Sequence, residues 1–203
     1  MGKTRGFTLV ELAIVLVIIG IILGAVLKGQ ELIFNAKVKR LQSQIKELIA
    51  AFYTYYDKYG YYPGDDPTAS LRWAGVEAGN GDGVITLGYC DVATEESCLL
   101  WRHLRFANII SGDPNDANPA SMVPKHAWGG AIHMFSGTWT VGGIPRSGHW
   151  IALLNLPGDA AAALDRLMDD GKCNSGSMAV YAGACGANGT YQSNVYYHVW
   201  MVF

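Results

Sequence analysis

Gly6-Phe7-Thr8-Leu9-Val10-Glu11, followed by Leu12 to Leu27 without a single charge, is the stretch on which the fold turns. From Phe7 to Leu27 the 21 residues contain one ionisable group. At about 1.5 Å rise per residue, a helix of that length crosses a bilayer core of about 30 Å. Lys3 and Arg5 precede it and no cation follows until Lys28, so the positive-inside bias places the N-terminus in the cytoplasm. An ordinary secretory signal is cut at small residues beyond its apolar core, and no such site is evident near Leu23–Gln30. The apolar segment is therefore expected to stay with the mature chain.

Glu11 decides how that segment is read. A carboxylate within a bilayer helix costs about 2.5–3.5 kcal/mol on insertion scales, and such residues usually serve a function. Glu11 lies four residues after Phe7, one helical turn along the same face. A cut after Gly6 would give Phe7 a free amine, the natural counter-charge for a buried carboxylate. In a bundle of parallel, axially staggered helices, Glu11 of one copy would meet the amine of the next, and the pairing would set the register.

These residues resemble the processing site of type IV prepilins and of type II secretion pseudopilins. The resemblance covers about the first 60 residues by pattern and the rest only by general architecture. It implies cleavage between Gly6 and Phe7 by a membrane prepilin peptidase, which then N-methylates Phe7. It also implies that Glu11 serves incorporation into a filament, built with other pilins or pseudopilins on an inner-membrane assembly platform. Many pilins carry a proline midway along this helix. Here none occurs before Pro63, and Gly20, Gly24 and Gly29 are the candidate weak points instead.

Beyond Leu27 the pattern turns amphipathic. Val38, Leu41, Ile45, Leu48, Phe52, Tyr55 and Tyr59 recur at steps of 3 and 4, a helical stripe, and Gly60 with Pro63-Gly64 ends it. The expected organisation is a leader at 1–6, a long helix at 7–59 and a periplasmic head at 60–203. Within the helix, 7–27 crosses the membrane or forms a filament core, and 28–59 is amphipathic. The tyrosines at 53, 55, 56, 59, 61 and 62 are read as packing of that helix on the head, with phenols at the rim.

In the head, Asp66 and Pro67 suit a helix start leading into Leu71–Trp73. Glu95 to Ile110 reads as helix, 111–124 as surface loop, and Asp159–Asp170 as a helix capped by Asp159 and ended by Gly171. Short strands are expected at Ala131–Phe135, Thr138–Val141, Trp150–Leu156, Ser177–Tyr181 and Val195–Val202, separated by glycine-bearing turns. The fold class is thus α+β, with one long N-terminal helix packed on an antiparallel sheet. The tryptophans at 128, 139, 150 and 200 read as core or interface.

Four cysteines, Cys90, Cys98, Cys173 and Cys185, allow three pairings. In an exported head the local pairs Cys90–Cys98 and Cys173–Cys185 are expected, and in a cytosolic protein four thiols. Gly79–Ile85 resembles the middle of a calcium loop, with Asn80 and Asp82 at ligand positions. Ala78 and Tyr89 occupy the first and twelfth positions, so Asp65, Asp66 or Asp91 would have to complete the site. Asp165, Asp169 and Asp170 read as a solvated helix face. His126, His133 and His149 are a conceivable zinc set, weighed against isolated histidines in loops and strands, and neither HExxH, GxSxG nor a P-loop occurs. No catalytic residue is assigned, and a membrane-anchored periplasmic enzyme is the outlying alternative.

The charged fraction is 16%, well under the roughly 25% of ordinary soluble domains. Loss of Lys3 and Arg5 with the leader turns 15 cations into 13 against 17 acids, moving the net charge from -2 to -4. Neither value favours a nucleic-acid partner.

Overall fold

The computed structural model describes residues 8–86, 88–141, 144–182 and 185–203. The chain forms two compact units, Met1–Lys37 and Val38–Phe203. Helix α1 (Leu9–Tyr59) contributes to both and is unbroken at Gly20, Gly24 and Gly29. None of those three glycines has a neighbour within 4 Å of where a Cβ would stand.

In the first unit, α1 is apolar on every side. Leu9, Leu12, Ile14, Leu16, Ile21 and Leu27 are all exposed. An exposed apolar surface of this extent is not stable in water and calls for lipid or other helices. Polar character returns with the exposed pair Lys28–Glu31, three residues apart at 2.7 Å.

In the second unit, α1 buries one stripe: Val38, Leu41, Ile45, Leu48, Ala51, Phe52 and Tyr55. This is the predicted stripe, except that Tyr59 is half-buried and Ala51 joins it. Each fully buried Leu, Ile or Phe contributes about 1.5–3 kcal/mol relative to exposure. The helix ends where Gly60 takes φ +78° and its N–H bonds to the Tyr56 carbonyl at 2.7 Å.

Four strands form an antiparallel sheet: β1 (Ile132–Val141), β2 (Ile144–Pro157), β3 (Met178–Ala182) and β4 (Tyr196–Val202), in spatial order β1-β2-β4-β3. Strand alternation sorts its side chains. Ile132, Met134, Ile151, Leu153, Val199 and Met201 share one face, where Phe52 of α1 packs against His149 at 4.8 Å. Phe135, Trp150, Ala152, Ala179 and Trp200 form a cluster on the other face.

Several readings from the sequence need correction. Two expected strands, Ala131–Phe135 and Thr138–Val141, are one strand. Gly137 pairs with Gly148 instead of turning, and the Trp150 indole N–H donates to the Gly137 carbonyl at 3.0 Å. β2 accordingly begins at Ile144, and His149 lies within it. In α5 (Gly158–Met168) the residue before the first turn is Pro157, and Asp159 lies inside that turn without capping it. The segment read wholly as loop holds a one-turn helix, α4 (Pro119–Met122), whose cap is Asn118 accepting from the Ala120 N–H at 3.1 Å.

Between α1 and α3 (Glu96–Phe106), buried polar groups secure the chain. Asp66 is fully buried and accepts from the Tyr55 hydroxyl at 2.7 Å, from the Thr68 N–H and hydroxyl, and from Arg72. Asp66 thus organises a turn and does not cap the following helix α2 (Ala69–Arg72), which begins only at Ala69. Gly64 runs so close to α3 that a Cβ would stand 2.4 Å from the Glu96 carbonyl oxygen, and its φ is +94°. Its N–H donates to Nδ1 of buried His103 at 3.0 Å, and His103 Nε2 lies 3.0 Å from the Glu77 carbonyl. Only a neutral imidazole, protonated at Nε2, satisfies both.

Burial pushes the His103 imidazole down from 6.5 to about 4. A folded-state pKa below the unfolded one gives stability that is complete above pH 6.5 and is lost as the pH falls towards 4. His103→Gln offers the same acceptor and donor without titrating. Its denaturant midpoint is expected to fall less between pH 6.5 and 4 than that of the unaltered chain, measured on the full chain in detergent. Equal acid sensitivity in both would refute this role for His103.

Candidate functional site

The first turn of α1 contains a motif that the reading of charge alone passed over. Thr8 stands immediately before the helix and Glu11 is its third residue, so Thr-x-x-Glu forms a capping box. The Thr8 N–H donates to Glu11 Oε2 at 2.8 Å and the Thr8 hydroxyl donates to the same oxygen at 2.7 Å. The Glu11 N–H approaches the Thr8 hydroxyl oxygen at 3.3 Å. Amides left open at a helix N-terminus are thereby satisfied, and the helix dipole favours a negative charge there.

Glu11 is therefore not simply a bare charge among Leu9, Val10, Leu12 and Ile14. One oxygen is held from within the chain. Among the described residues no donor is bonded to the other, Oε1. Gly6 and Phe7, the expected processing residues, lie outside the described residues. The Thr8 nitrogen is an amide before and after any cut at Gly6, so the capping box is compatible with either form. The signal that would have revealed it, Thr and Glu three apart ahead of an apolar run, is present at 8–11.

The other candidate residues have hydrogen-bond partners within the head. Asn80 and Asp82 are exposed and serve their own loop. The Asn80 amide donates to Asp82 at 3.0 Å, and Asp82 accepts from the Val84 N–H at 2.8 Å. Asp65 is drawn in beneath them, accepting N–H groups from Gly81, Asp82 and Gly83 at 2.7–3.0 Å. Burial pushes its carboxyl up, and the Gly83 and Gly81 amides oppose this. Glu96 accepts from the N–H groups of Asn80 and Thr86. The loop amides thus converge on two buried carboxylates. Asp66 is committed to Tyr55 and Thr68, and Asp91 is exposed.

Among the described residues, one acidic set gathers within ligand distance: Asp165, Asp169 and Asp170. Asp165 is fully buried and not part of a solvated face, which corrects the reading from sequence. It accepts from the Gly171 N–H at 2.8 Å and the Tyr191 hydroxyl at 2.5 Å, and burial pushes it up to about 6. Asp169 accepts from the Met178 N–H and Asp170 from Ser175, so each has an internal structural partner.

The histidines do not converge. His133 and His149 lie on opposite faces of the sheet, since His133 pairs with Ala152 and His149 with Ser136. His133 Nδ1 accepts from the Cys90 N–H, and His126 Nε2 lies 2.8 Å from the Leu154 carbonyl. Cys90 is disulfide-bonded to Cys98, and Cys173 to Cys185.

Residues 1–27 match the family model described as the prokaryotic N-terminal methylation motif. The matched residues end inside α1. No curated protein and no solved structure matches the chain.

Removing the Thr8 hydroxyl tests the capping box. Thr8→Ala is expected to loosen the first turn by about 1 kcal/mol, the usual cost of losing such a cap, and Thr8→Ser to leave it intact. Amide hydrogen exchange at Glu11 in micelles should accelerate about fivefold in the alanine variant. Unchanged exchange would show that the hydroxyl contributes nothing.

Proposed function

We propose that this chain, which carries the type IV pilin and pseudopilin signature at residues 1–27, is a structural subunit of a type IV pilus-like filament. Prepilin peptidase removes residues 1–6 and methylates the new N-terminus at Phe7. Before assembly the subunit sits in the bacterial inner membrane, its N-terminus cytoplasmic and its head periplasmic. Assembly, not catalysis, is its role.

One observation carries this reading. Glu11 stands on an otherwise apolar, exposed segment of the helix, with Oε2 held by Thr8 and, among the described residues, no donor bonded to Oε1. The amine created at Phe7 of a neighbouring copy is a donor of the right charge. In an apolar bundle, such pairing would offset the burial of both charges and set the axial step. Leaving lipid for helix contacts exchanges one apolar environment for another. Gly20 and Gly24 lie four apart with open space around them, which permits close approach of a neighbouring backbone.

The same signature serves secretion pseudopilins. The disulfide-bonded head of 144 residues, 60–203, favours a pilin exposed outside the cell. Recovery of the chain in filaments sheared from cells is the expected result. Its retention in the periplasm with absence from sheared filaments would assign it to the secretion machinery instead.

Glu11→Ala should leave cleavage intact and abolish filament incorporation, read as processed subunit in the membrane with none in the sheared fraction. Normal filament yield would exclude a register role for Glu11. A bulky residue at the cut, as in Gly6→Leu, should keep the leader attached. The intact mass of the membrane-bound protein distinguishes the two forms by the mass of residues 1–6.

A further inference from the structure

β3 is the last strand of the sheet, so only one of its sides pairs with β4. The N–H groups of Met178 and Val180 point to the other side. An open strand edge invites pairing with another chain, and proteins usually cover it. Here the chain covers its own edge. The Val180 N–H donates to the Cys173 carbonyl at 2.9 Å, and the Met178 N–H to Asp169 Oδ2 at 2.8 Å. Cys173 is held in turn by its own N–H, which donates to the Gly189 carbonyl at 2.9 Å. Its side chain is disulfide-bonded to Cys185, so the bridge closes a loop that contains β3 itself.

The two disulfides differ in what surrounds them. Cys98 lies within α3 and is fully buried, and Cys90 is 4% exposed. The Cys90 sulfur stands 4.0 Å from Met122 Sδ, and Met122 is fully buried. Cys173 is fully buried as well, but Cys185 is only half-buried and is the most accessible of the four. A thiolate must reach a sulfur to exchange with it, so access selects which bridge reacts and at which end.

We propose that Cys173–Cys185 is a redox latch, which a dithiol reductant opens at Cys185 in the folded head, uncovering the edge of β3 at Val180. The thiolate of the reductant bonds to Cys185 Sγ, the bond between the two cysteine sulfurs breaks, and Cys173 leaves as a thiolate that takes up a proton. The second thiol of the reductant then loses its proton and attacks the mixed disulfide, expelling Cys185, which is protonated in turn. The cystine gains two electrons and two protons, and the dithiol becomes a disulfide. Cys90–Cys98 stays closed, because no thiolate reaches it while the head is folded.

With the latch open, the segment from Cys173 to Cys185 is no longer closed on itself. Cys173 then stays over Val180 only through the hydrogen bonds of its own backbone. The Val180 N–H is the group whose cover depends most directly on the bridge, while Met178 keeps its bond to Asp169. Reoxidation restores the cover. The latch is a property of the head and does not require the assembly reading.

The test uses the full chain in detergent, without denaturant. The protein is incubated with dithiothreitol, samples are quenched with iodoacetamide at intervals, and the alkylated cysteines are located by peptide mass spectrometry. Cys173 and Cys185 should be alkylated together, at least about tenfold faster than Cys90 and Cys98. In the selectively reduced protein the Val180 amide should exchange its hydrogen at least about tenfold faster, while the amides of β2 keep their rates. The double variant Cys173→Ser, Cys185→Ser should show the same fast exchange at Val180 without reductant. Equal alkylation of all four cysteines, earlier alkylation of Cys90 and Cys98, resistance of both bridges until denaturant is added, or unchanged exchange at Val180 after reduction would each overturn the proposal.

Discussion

Helix α1 meets two different demands with one continuous backbone. Up to Leu27 its side chains are apolar all round and exposed. From Val38 it is apolar on one stripe only, and that stripe is buried. A helix satisfies its own backbone hydrogen bonds, so it can persist in lipid, in a bundle or against a sheet. A strand in the first segment would leave open edges in hydrocarbon. The second segment needs only the 3.6-residue period to place Leu41, Ile45, Leu48 and Phe52 on the sheet. The architecture of the head follows from that stripe, because the sheet must present an apolar face to it and cover its other face differently.

The acidic residue in the apolar segment is tolerated through a local arrangement. Thr8 gives Glu11 an amide and a hydroxyl at one oxygen, at the end of the helix where the dipole favours a negative charge. This halves the problem of an anion in hydrocarbon without ending its need for a counter-charge. In the proposed filament, chain and neighbour would share the task, one supplying hydrogen bonds and the other a cation.

Buried carboxylates organise the head. Asp65 and Glu96 gather the amides of 80–86, Asp66 ties α1 to the following turn, and Asp165 joins the end of α5 to Tyr191. Segments without regular structure leave many backbone amides unpaired, and a carboxylate can accept several at once. That gives the acidic clusters a structural role in the head. The two disulfides act on the same kind of segment, closing 90–98 and 173–185.

The long helix, its division into two characters, the antiparallel α+β head and most of its strands were legible in the sequence, because period and charge pattern are local properties. Local rules failed at Gly137, which reads as a breaker but lies within a strand since Gly148 faces it and Trp150 bonds to it. They failed again at Asp165, whose neighbours in sequence suggest solvent while Tyr191, 26 residues on, buries it. Sequence by itself determined which segments are apolar, where the helix ends, and that Glu11 lies among apolar neighbours. Only the tertiary structure decided which carboxylates are buried and which aromatic rings meet across the sheet. Those outcomes depend on contacts between residues far apart in the chain, which no local pattern encodes.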